Sequence, residues 1–389
     1  MSWDDLIGQA EAIATMRAAA NGDGLTHSWL ITGPPGSGRS TLAYAFAAAL
    51  LARPGDAAAL QKVEAQVAAR THPDLGVLST ERVLISIEEV RQLVASSQFS
   101  PSVGRYRVMV IEDADRMTER TSNVLLKALE EPPPRTVWIL CAPSEADLIP
   151  TIRSRVRSVR LRVPSVDDVA ALISRRDGIS LPEATRAARE AQSHIGMAHR
   201  LATNEQARAR RARTLQLALG IRSVSGAILA AAELLEVAGD DAKAISEERD
   251  AEERESTLRS LGIAAGGTIP PGLRAQLKSL EEDQKRRATR SLRDGLDRIL
   301  VDLLSLYRDI LLLQLGVEVE PVNLAIYSDL AAAARIATPA RTLATLDAIA
   351  EARSRIEGNV APALALEAVL VSAVRTPETV STPSGRDRT

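Results

Sequence analysis

The chain has 389 residues, 45% hydrophobic and 25% charged, ordinary values for a folded protein of two or three domains. Lys plus Arg number 48 against 50 Asp plus Glu, a formal charge of -2, which excludes a uniformly basic DNA-coating protein but leaves room for a local basic patch. The single cysteine, Cys141, excludes an intrachain disulfide framework and a multi-cysteine zinc site.

Five lysines (Lys62, Lys127, Lys243, Lys278 and Lys285) leave the other cations to arginine, and with the abundant alanine this reads as GC-rich coding. Aromatics make up 2%, so the core must come from Leu, Val, Ile and Ala. Met1-Ser-Trp-Asp-Asp5 has no apolar run of a secretory signal, and no stretch approaches the roughly 20 apolar residues of a membrane helix. A cytoplasmic protein without a membrane partner is expected.

In chain order, Ser28–Thr32 reads as a short apolar strand running into a glycine-rich turn, followed by an Ala/Leu-rich helix over Thr41–Ala52. Arg107–Ile111 is a second strand. Thr118–Glu130 is an amphipathic helix stopped by Pro132-Pro-Pro134, and Thr136–Cys141 is a third strand. Strands alternating with helices imply a parallel sheet covered by helices. After Pro164 no strand pattern follows. Residues 165–203 carry short helical patterns, and 204–375 are almost wholly helical, with Leu292, Leu296, Ile299, Leu300, Leu303, Tyr307 and Ile310 as a core stripe. Glu247–Arg259 is dense in both charges and reads as an exposed helix or loop. Gly266–Gly272 breaks it from the next helix, and Thr376–Thr389 reads as a disordered tail.

Gly33-Pro-Pro-Gly-Ser-Gly-Arg-Ser40, between a strand and a helix, has the setting of a phosphate-binding P-loop, whose N–H groups and helix N-terminus favour phosphate. Gly33, Gly38 and Ser40 fit, and Gly36 and Thr41 join them as candidate nucleotide-binding residues. Arg39 stands where the pattern has lysine, and a planar guanidinium does not replace a compact ammonium that reaches the β- and γ-phosphates. The acidic strand end reads Glu112-Asp113, where a P-loop ATPase has Asp-Glu to hold Mg²⁺ and orient water, so both carboxylates are displaced. The loop shape is expected with little or no ATP hydrolysis. Binding of ATP with Mg²⁺ is left open.

Arg153, Arg155, Arg157, Arg160 and Arg162 cluster after Thr151, and their simplest reading is a set of surface ion pairs. Arg208, Arg210, Arg211 and Arg213 read mainly as a solvated helix face, with backbone phosphate contact as the alternative. His27, His72, His194 and His199 show no ligand spacing.

The order Leu6-Ile-Gly-Gln9, Thr26-His-Ser-Trp29, the P-loop, His72-Pro-Asp74, Ser86–Arg91, Val110–Asp115, Asn123–Pro133 and Thr151-Ile-Arg-Ser-Arg155 resembles the delta-prime family of bacterial clamp-loader AAA+ subunits. The match is dense over residues 6–157; the later half agrees in size and helical character. The resemblance implies a RecA-like AAA+ domain with a degenerate P-loop over 1–163, a helical lid over 164–203 and an all-α collar for oligomerisation over 204–375. It implies assembly with gamma/tau-type ATPase and delta-type subunits, and action on the sliding clamp and the backbone of primed DNA through that complex. It also implies that Ser154-Arg155 supplies an arginine finger in trans to a neighbour's ATP. The residue after it is Val156, where the family has cysteine. Residues 56–70 fill the place of a zinc module common in the family but lack cysteine, so zinc is not expected. The Cys141-Ala-Pro-Ser144 segment takes the place of a γ-phosphate sensor, and Arg200 or His199 the place of a second one. An autonomous AAA+ ATPase is the competing reading. A sequence-tolerant DNA-binding module using the helical half is a third, disfavoured by the near-zero net charge.

Overall fold

Alternation of side chains across each strand organises the first part of the chain. In this computed structural model residues 3–53, 57–79, 84–260, 274–357 and 360–374 are described. The expected break at Gly266–Gly272 and the expected tail lie outside them. The chain divides into two compact units, Met1–Asn204 and Glu205–Thr389.

The first unit runs α1 (Ala10–Ala20), β1 (Ser28–Thr32), α2 (Arg39–Leu51), α3 (Ala57–Ala68), β2 (Leu75–Leu78), α4 (Ile87–Ser97), β3 (Arg107–Ile111), α5 (Glu119–Glu130), β4 (Thr136–Ala142), α6 (Pro150–Arg153) and β5 (Arg157–Arg160). Three short helices follow: α7 (Val166–Asp177), α8 (Leu181–Glu190) and α9 (Ile195–Thr203). The sheet order is β2-β3-β4-β1-β5 and every pairing is parallel. Trp29, Ile31, Val108, Val110, Val137, Ile139 and Cys141 face one helical layer, whereas Leu30, Met109, Ile111, Trp138, Leu140 and Ala142 face the other. This period of two, buried on both sides, is what a parallel sheet between helices requires. Such a sheet, with the P-loop after its β1 strand, is a RecA-like AAA+ fold.

Two strands beyond the three expected complete the sheet. Leu75–Leu78 is short, and Arg157–Arg160 is an edge strand in which only Val159 is buried. Its arginines conceal the strand locally; pairing with β1, Trp29 opposite Arg157 through Thr32 opposite Arg160, creates it.

Local chemistry sets the helix ends. Ser86 and Glu89 form a capping box at α4, and the Thr118 side chain accepts from the Thr121 N–H at the start of α5. Gln9 holds Arg162 through both its amide atoms, Nε2 donating to the Arg162 carbonyl at 2.7 Å and Oε1 accepting from its N–H at 3.0 Å. That clamp joins the start of the unit to the strand end leading into α7.

The described elements of the second unit are helices: α10 (Glu205–Gly220), α11 (Val224–Ser260), α12 (Arg274–Gln314), α13 (Tyr327–Ile336), α14 (Pro339–Glu357) and α15 (Pro362–Ser372). On α12, Leu296, Ile299, Leu300, Leu303, Leu306, Tyr307 and Ile310 are buried, with Leu292 packed beside them. The charged segment Glu247–Arg259 lies within α11. Among the described residues no helix is long and apolar enough to cross a membrane.

Candidate functional site

The P-loop begins where β1 ends. Pro34–Ser37 closes as a turn, the Ser37 N–H donating to the Pro34 carbonyl at 3.1 Å. Gly36 and Gly38 hold φ of +78° and +97°, which an L side chain adopts only with strain. A Cβ at Gly36 would also meet the His194 ring at 2.4 Å, because that imidazole packs directly against the loop. His194 caps α9 with Nδ1, accepting from the Met197 N–H at 3.1 Å. His194 is therefore a residue of the α7–α9 segment that packs against the loop, and one that the sequence reading did not single out. His199 instead pairs with Asp177 at 2.7 Å.

Arg39 does not extend into the loop mouth. Its Nη1 turns back and donates to the Gly33 carbonyl at 2.7 Å. Ser40, next along α2, donates through Oγ to Glu112 Oε2 at 3.2 Å. The other oxygen, Oε1, accepts from the Tyr44 hydroxyl and, at 2.6 Å, from Arg70 Nη2. Arg70 also lies over the Tyr44 ring, 5.7 Å from its centroid, and donates to Ser79 Oγ at 3.2 Å. Burial and the adjacent Glu112 carboxylate raise the Tyr44 hydroxyl well above its usual range, so it stays a proton donor.

Sequence reading thus finds Arg39, Ser40 and Glu112, and the structure brings Ser40 and Glu112 together. It misses Arg70 and Tyr44. Arg70 sits in a left-handed backbone conformation, φ +58°, just after α3, 42 residues from its partner, and no motif marks it. Thr41 is half-buried in the first turn of α2, and Asp113 lies 3.9 Å from Arg116. Burial raises the Asp115 carboxyl, the Asp113 charge adding to this while Arg116 and Arg39 oppose it.

A nucleotide with Mg²⁺ makes separate demands on such a site. The loop keeps its shape, and Ser37 Oγ is buried there without a hydrogen-bond partner. The cation positions do not fit. Both Glu112 oxygens are engaged by protein donors, one of them a guanidinium, and Arg39 is turned to the loop's own carbonyl. Ser144, at the expected sensor position, is spent as a cap: its Oγ accepts from the Ala146 N–H, and its N–H donates to Asp147. Cys141 is fully buried, and burial pushes its thiol up to about 12, against the opposing charge of Arg39. Among the described residues no group of three or more His, Cys, Asp or Glu is arranged to hold a metal ion.

Arg155 stands elsewhere. It precedes β5, whose first residue pairs with Trp29 near the start of β1, whereas the P-loop follows the end of β1. Four residues of strand, Trp29–Thr32, separate the two levels, about 13 Å. Arg155 donates through Nε to Glu130 Oε1 at 2.6 Å, and its Nη2 forms an ion pair with the same oxygen at 2.5 Å. Its Nη1 reaches the Thr151 carbonyl at 2.7 Å and Ser154 Oγ at 3.0 Å. Ser154 therefore supports the arginine directly. Arg157 lies 4.9 Å from the centroid of the Trp29 ring, and Arg162 pairs with Glu11. In the second unit Arg210, Arg211 and Arg213 pair with Asp241, Asp302 and Glu233; Arg213 is exposed, but Arg211 is buried, which corrects the expectation of a solvated helix face there.

Residues 8–165 match the family model described as "DNA polymerase III, delta subunit". The chain is 40% identical over 134 residues to DNA polymerase III subunit delta' of Pseudomonas aeruginosa, covering 33% of this chain and 41% of that protein. It is 25% identical over 190 residues to DNA polymerase III subunit gamma/tau of Mycobacterium tuberculosis, covering 47% and 33%. The matches thus span less than half the length of each of these two relatives. Among solved structures, a DNA polymerase III gamma subunit-related protein of Thermotoga maritima aligns over 92% of this chain and 97% of its own, at 17% identity and a TM-score of 0.43. A Thermotoga maritima RuvB mutant aligns over 55% and 66%, at 19% identity and a TM-score of 0.39.

Proposed function

The AAA+ unit being delta-prime-like, we propose that this chain serves as a non-hydrolysing subunit of a DNA polymerase III clamp loader. It assembles with gamma/tau-type ATPase and delta-type subunits, acts on the sliding clamp and the primed-DNA backbone through that complex, and presents Arg155 to a neighbour's ATP. The observation that carries this reading is the filled carboxylate at the P-loop: Ser40, Tyr44 and the Arg70 guanidinium together occupy Glu112. Phosphoryl transfer depends on cations and a water-orienting group at the γ-phosphate, and here those groups serve the protein's own fold.

The position of Arg155 supports the second half of the reading. It lies at the far end of the sheet from its own P-loop, so it can act on phosphate only across an interface. There a guanidinium offsets charge developing on the transferred phosphoryl group. The isolated chain is expected to show no ATP turnover above background, with or without primed DNA. After reconstitution, Arg155→Ala is expected to leave assembly intact and to slow the complex's ATPase by about 10³-fold at the neighbouring site. Robust turnover by the isolated chain, or an unchanged rate in the Arg155→Ala complex, overturns the proposal.

A further inference from the structure

In this structure the Arg155 side chain is already engaged. Of the five N–H groups of a guanidinium, Nε–H goes to Glu130 Oε1 and Nη1 serves both the Thr151 carbonyl and Ser154 Oγ, while Nη2 stands 2.5 Å from the same Glu130 oxygen as an ion pair. Three of the five are used within the chain. A finger that grips a γ-phosphate with two parallel hydrogen bonds must release some of them.

Glu130 also sits where a carboxylate is otherwise unfavourable. It is the last residue of α5, at the helix's partially negative C-terminus, with Glu131 next to it. The neighbouring carbonyl, that of Leu129, is held by His27 Nε2 at 2.9 Å, and His27 leads directly into β1. The helix end is thus fixed to the sheet, and the Glu130 charge is compensated from outside the helix, by Arg155. The pair is half-exposed, with side chains 34% and 44% accessible, so solvent screens it and its opening costs little.

We propose that Glu130 is a positioning residue for Arg155: an internal carboxylate that holds the guanidinium down until a neighbour's phosphate displaces it. This rests on Arg155 acting at that neighbour's nucleotide. A γ-phosphate carries more charge than a carboxylate and competes well for the same N–H edge. In an assembly whose neighbouring site is empty, or not aligned, Glu130 keeps the finger folded against its own subunit. The carboxylate thereby suppresses idle turnover. It does not take part in the reaction.

The test uses the reconstituted loader with wild type, Glu130→Gln, Glu130→Asp, Arg155→Ala and the Glu130→Gln/Arg155→Ala double variant. Gln keeps the shape and removes the charge; Asp keeps the charge but shortens its reach. Both single Glu130 variants are expected to raise ATPase without clamp or DNA by about two- to five-fold, the range of an exposed ion pair. The fully stimulated rate stays unchanged, and the double variant matches Arg155→Ala. In the isolated full chain, labelling of Arg155 by phenylglyoxal, read by peptide mass spectrometry, is expected to rise in both Glu130 variants. An unchanged idle rate, or a fall toward that of Arg155→Ala, overturns the role of Glu130. If Arg155→Ala itself leaves ATPase untouched, it is the reading of the finger that fails.

Discussion

Glu112 accepts from a serine hydroxyl, a tyrosine hydroxyl and a guanidinium, and each donor comes from a different part of the chain's logic. Ser40 belongs to the P-loop pattern. Tyr44 is one helical turn further along α2, on the same face. Arg70 enters from the turn after α3, and it supplies the positive charge that a half-buried carboxylate needs. The substitution of Glu for Asp is visible in the sequence, and so is Arg39 for Lys. Their consequence is not, because it depends on a longer side chain meeting an arginine that no spacing rule connects to it. Arg39 is held on the Gly33 carbonyl and Arg70 on Glu112, and the proposal that these two arginines keep a metal-bound nucleotide out gives a testable asymmetry. The melting temperature of the wild type is expected to be indifferent to ATP with Mg²⁺. The Arg39→Lys/Arg70→Ala variant, with a lysine at the loop and Glu112 relieved of its guanidinium, is expected to melt lower without ligand and to gain about 3 °C at millimolar ATP with Mg²⁺. Differential scanning fluorimetry reads both. A ligand shift in the wild type, or none in the variant, would mean that Arg39 and Arg70 are not what excludes the nucleotide.

At the level of elements, the strands read correctly from sequence are the ones whose burial is local and continuous. Ser28–Thr32, Arg107–Ile111 and Thr136–Ala142 announce themselves as apolar runs. Leu75–Leu78 and Arg157–Arg160 do not, because pairing with a neighbour, rather than their own composition, makes them strands. The same is true of the turn that leads into β3. Asp74, fully buried, accepts from the N–H groups of Ser102, Val103 and Gly104, each at 2.7 Å, and from Ser102 Oγ at 2.9 Å, with Arg107 3.6 Å away. The His72-Pro-Asp74 motif is thus a loop anchor with a structural purpose. Burial by itself raises the Asp74 carboxyl, but the backbone N–H groups of Gly104, Ser102 and Val103 and the Ser102 hydroxyl outweigh it and hold the group down at about 2, against 3.8 when unconstrained. A depressed carboxyl stabilises the fold above its unfolded value and loses that contribution as pH falls toward the folded one. Asp74 therefore contributes about 2 kcal/mol at neutral pH, lost between roughly pH 4 and pH 2. Asp74→Asn is expected to lower urea stability at pH 7 by about that amount and to flatten the acid limb of the stability curve. An acid limb identical to that of the wild type assigns the pH dependence to other groups.

Across the whole molecule, two different solutions to polar burial divide between the two units. The AAA+ unit spends its buried polar groups on loops around the sheet, as Asp74 and Gln9 do. The helical unit places a network among its helices. Asp309 accepts from the N–H of Val322 at 3.1 Å, the N–H of Asn323 at 2.8 Å and Asn323 Nδ2 at 2.9 Å. Asn323 accepts from Arg211, itself paired with Asp302, and donates to Ser305. Heptad-like apolar spacing reveals α12 in the sequence, but it gives no hint that Asp309, between Arg308 and Ile310, is only 1% exposed. Asp309→Ala removes a buried acceptor from the Val322 and Asn323 N–H groups and leaves Asn323 Nδ2 with Ser305 alone, the costly kind of change, worth about 3 kcal/mol. The division of the chain into two units predicts where that loss is felt. Hydrogen exchange is expected to quicken in peptides covering α12 and residues 322–323, and to stay as in the wild type over β1, β3 and β4. The transition of the helical unit should fall by roughly 5–10 °C, since a domain of this size shifts a few degrees per kcal/mol. Faster exchange across the sheet as well would mean that the two units unfold as one, and that the Asp309 network stabilises the nucleotide-loop fold along with its own bundle.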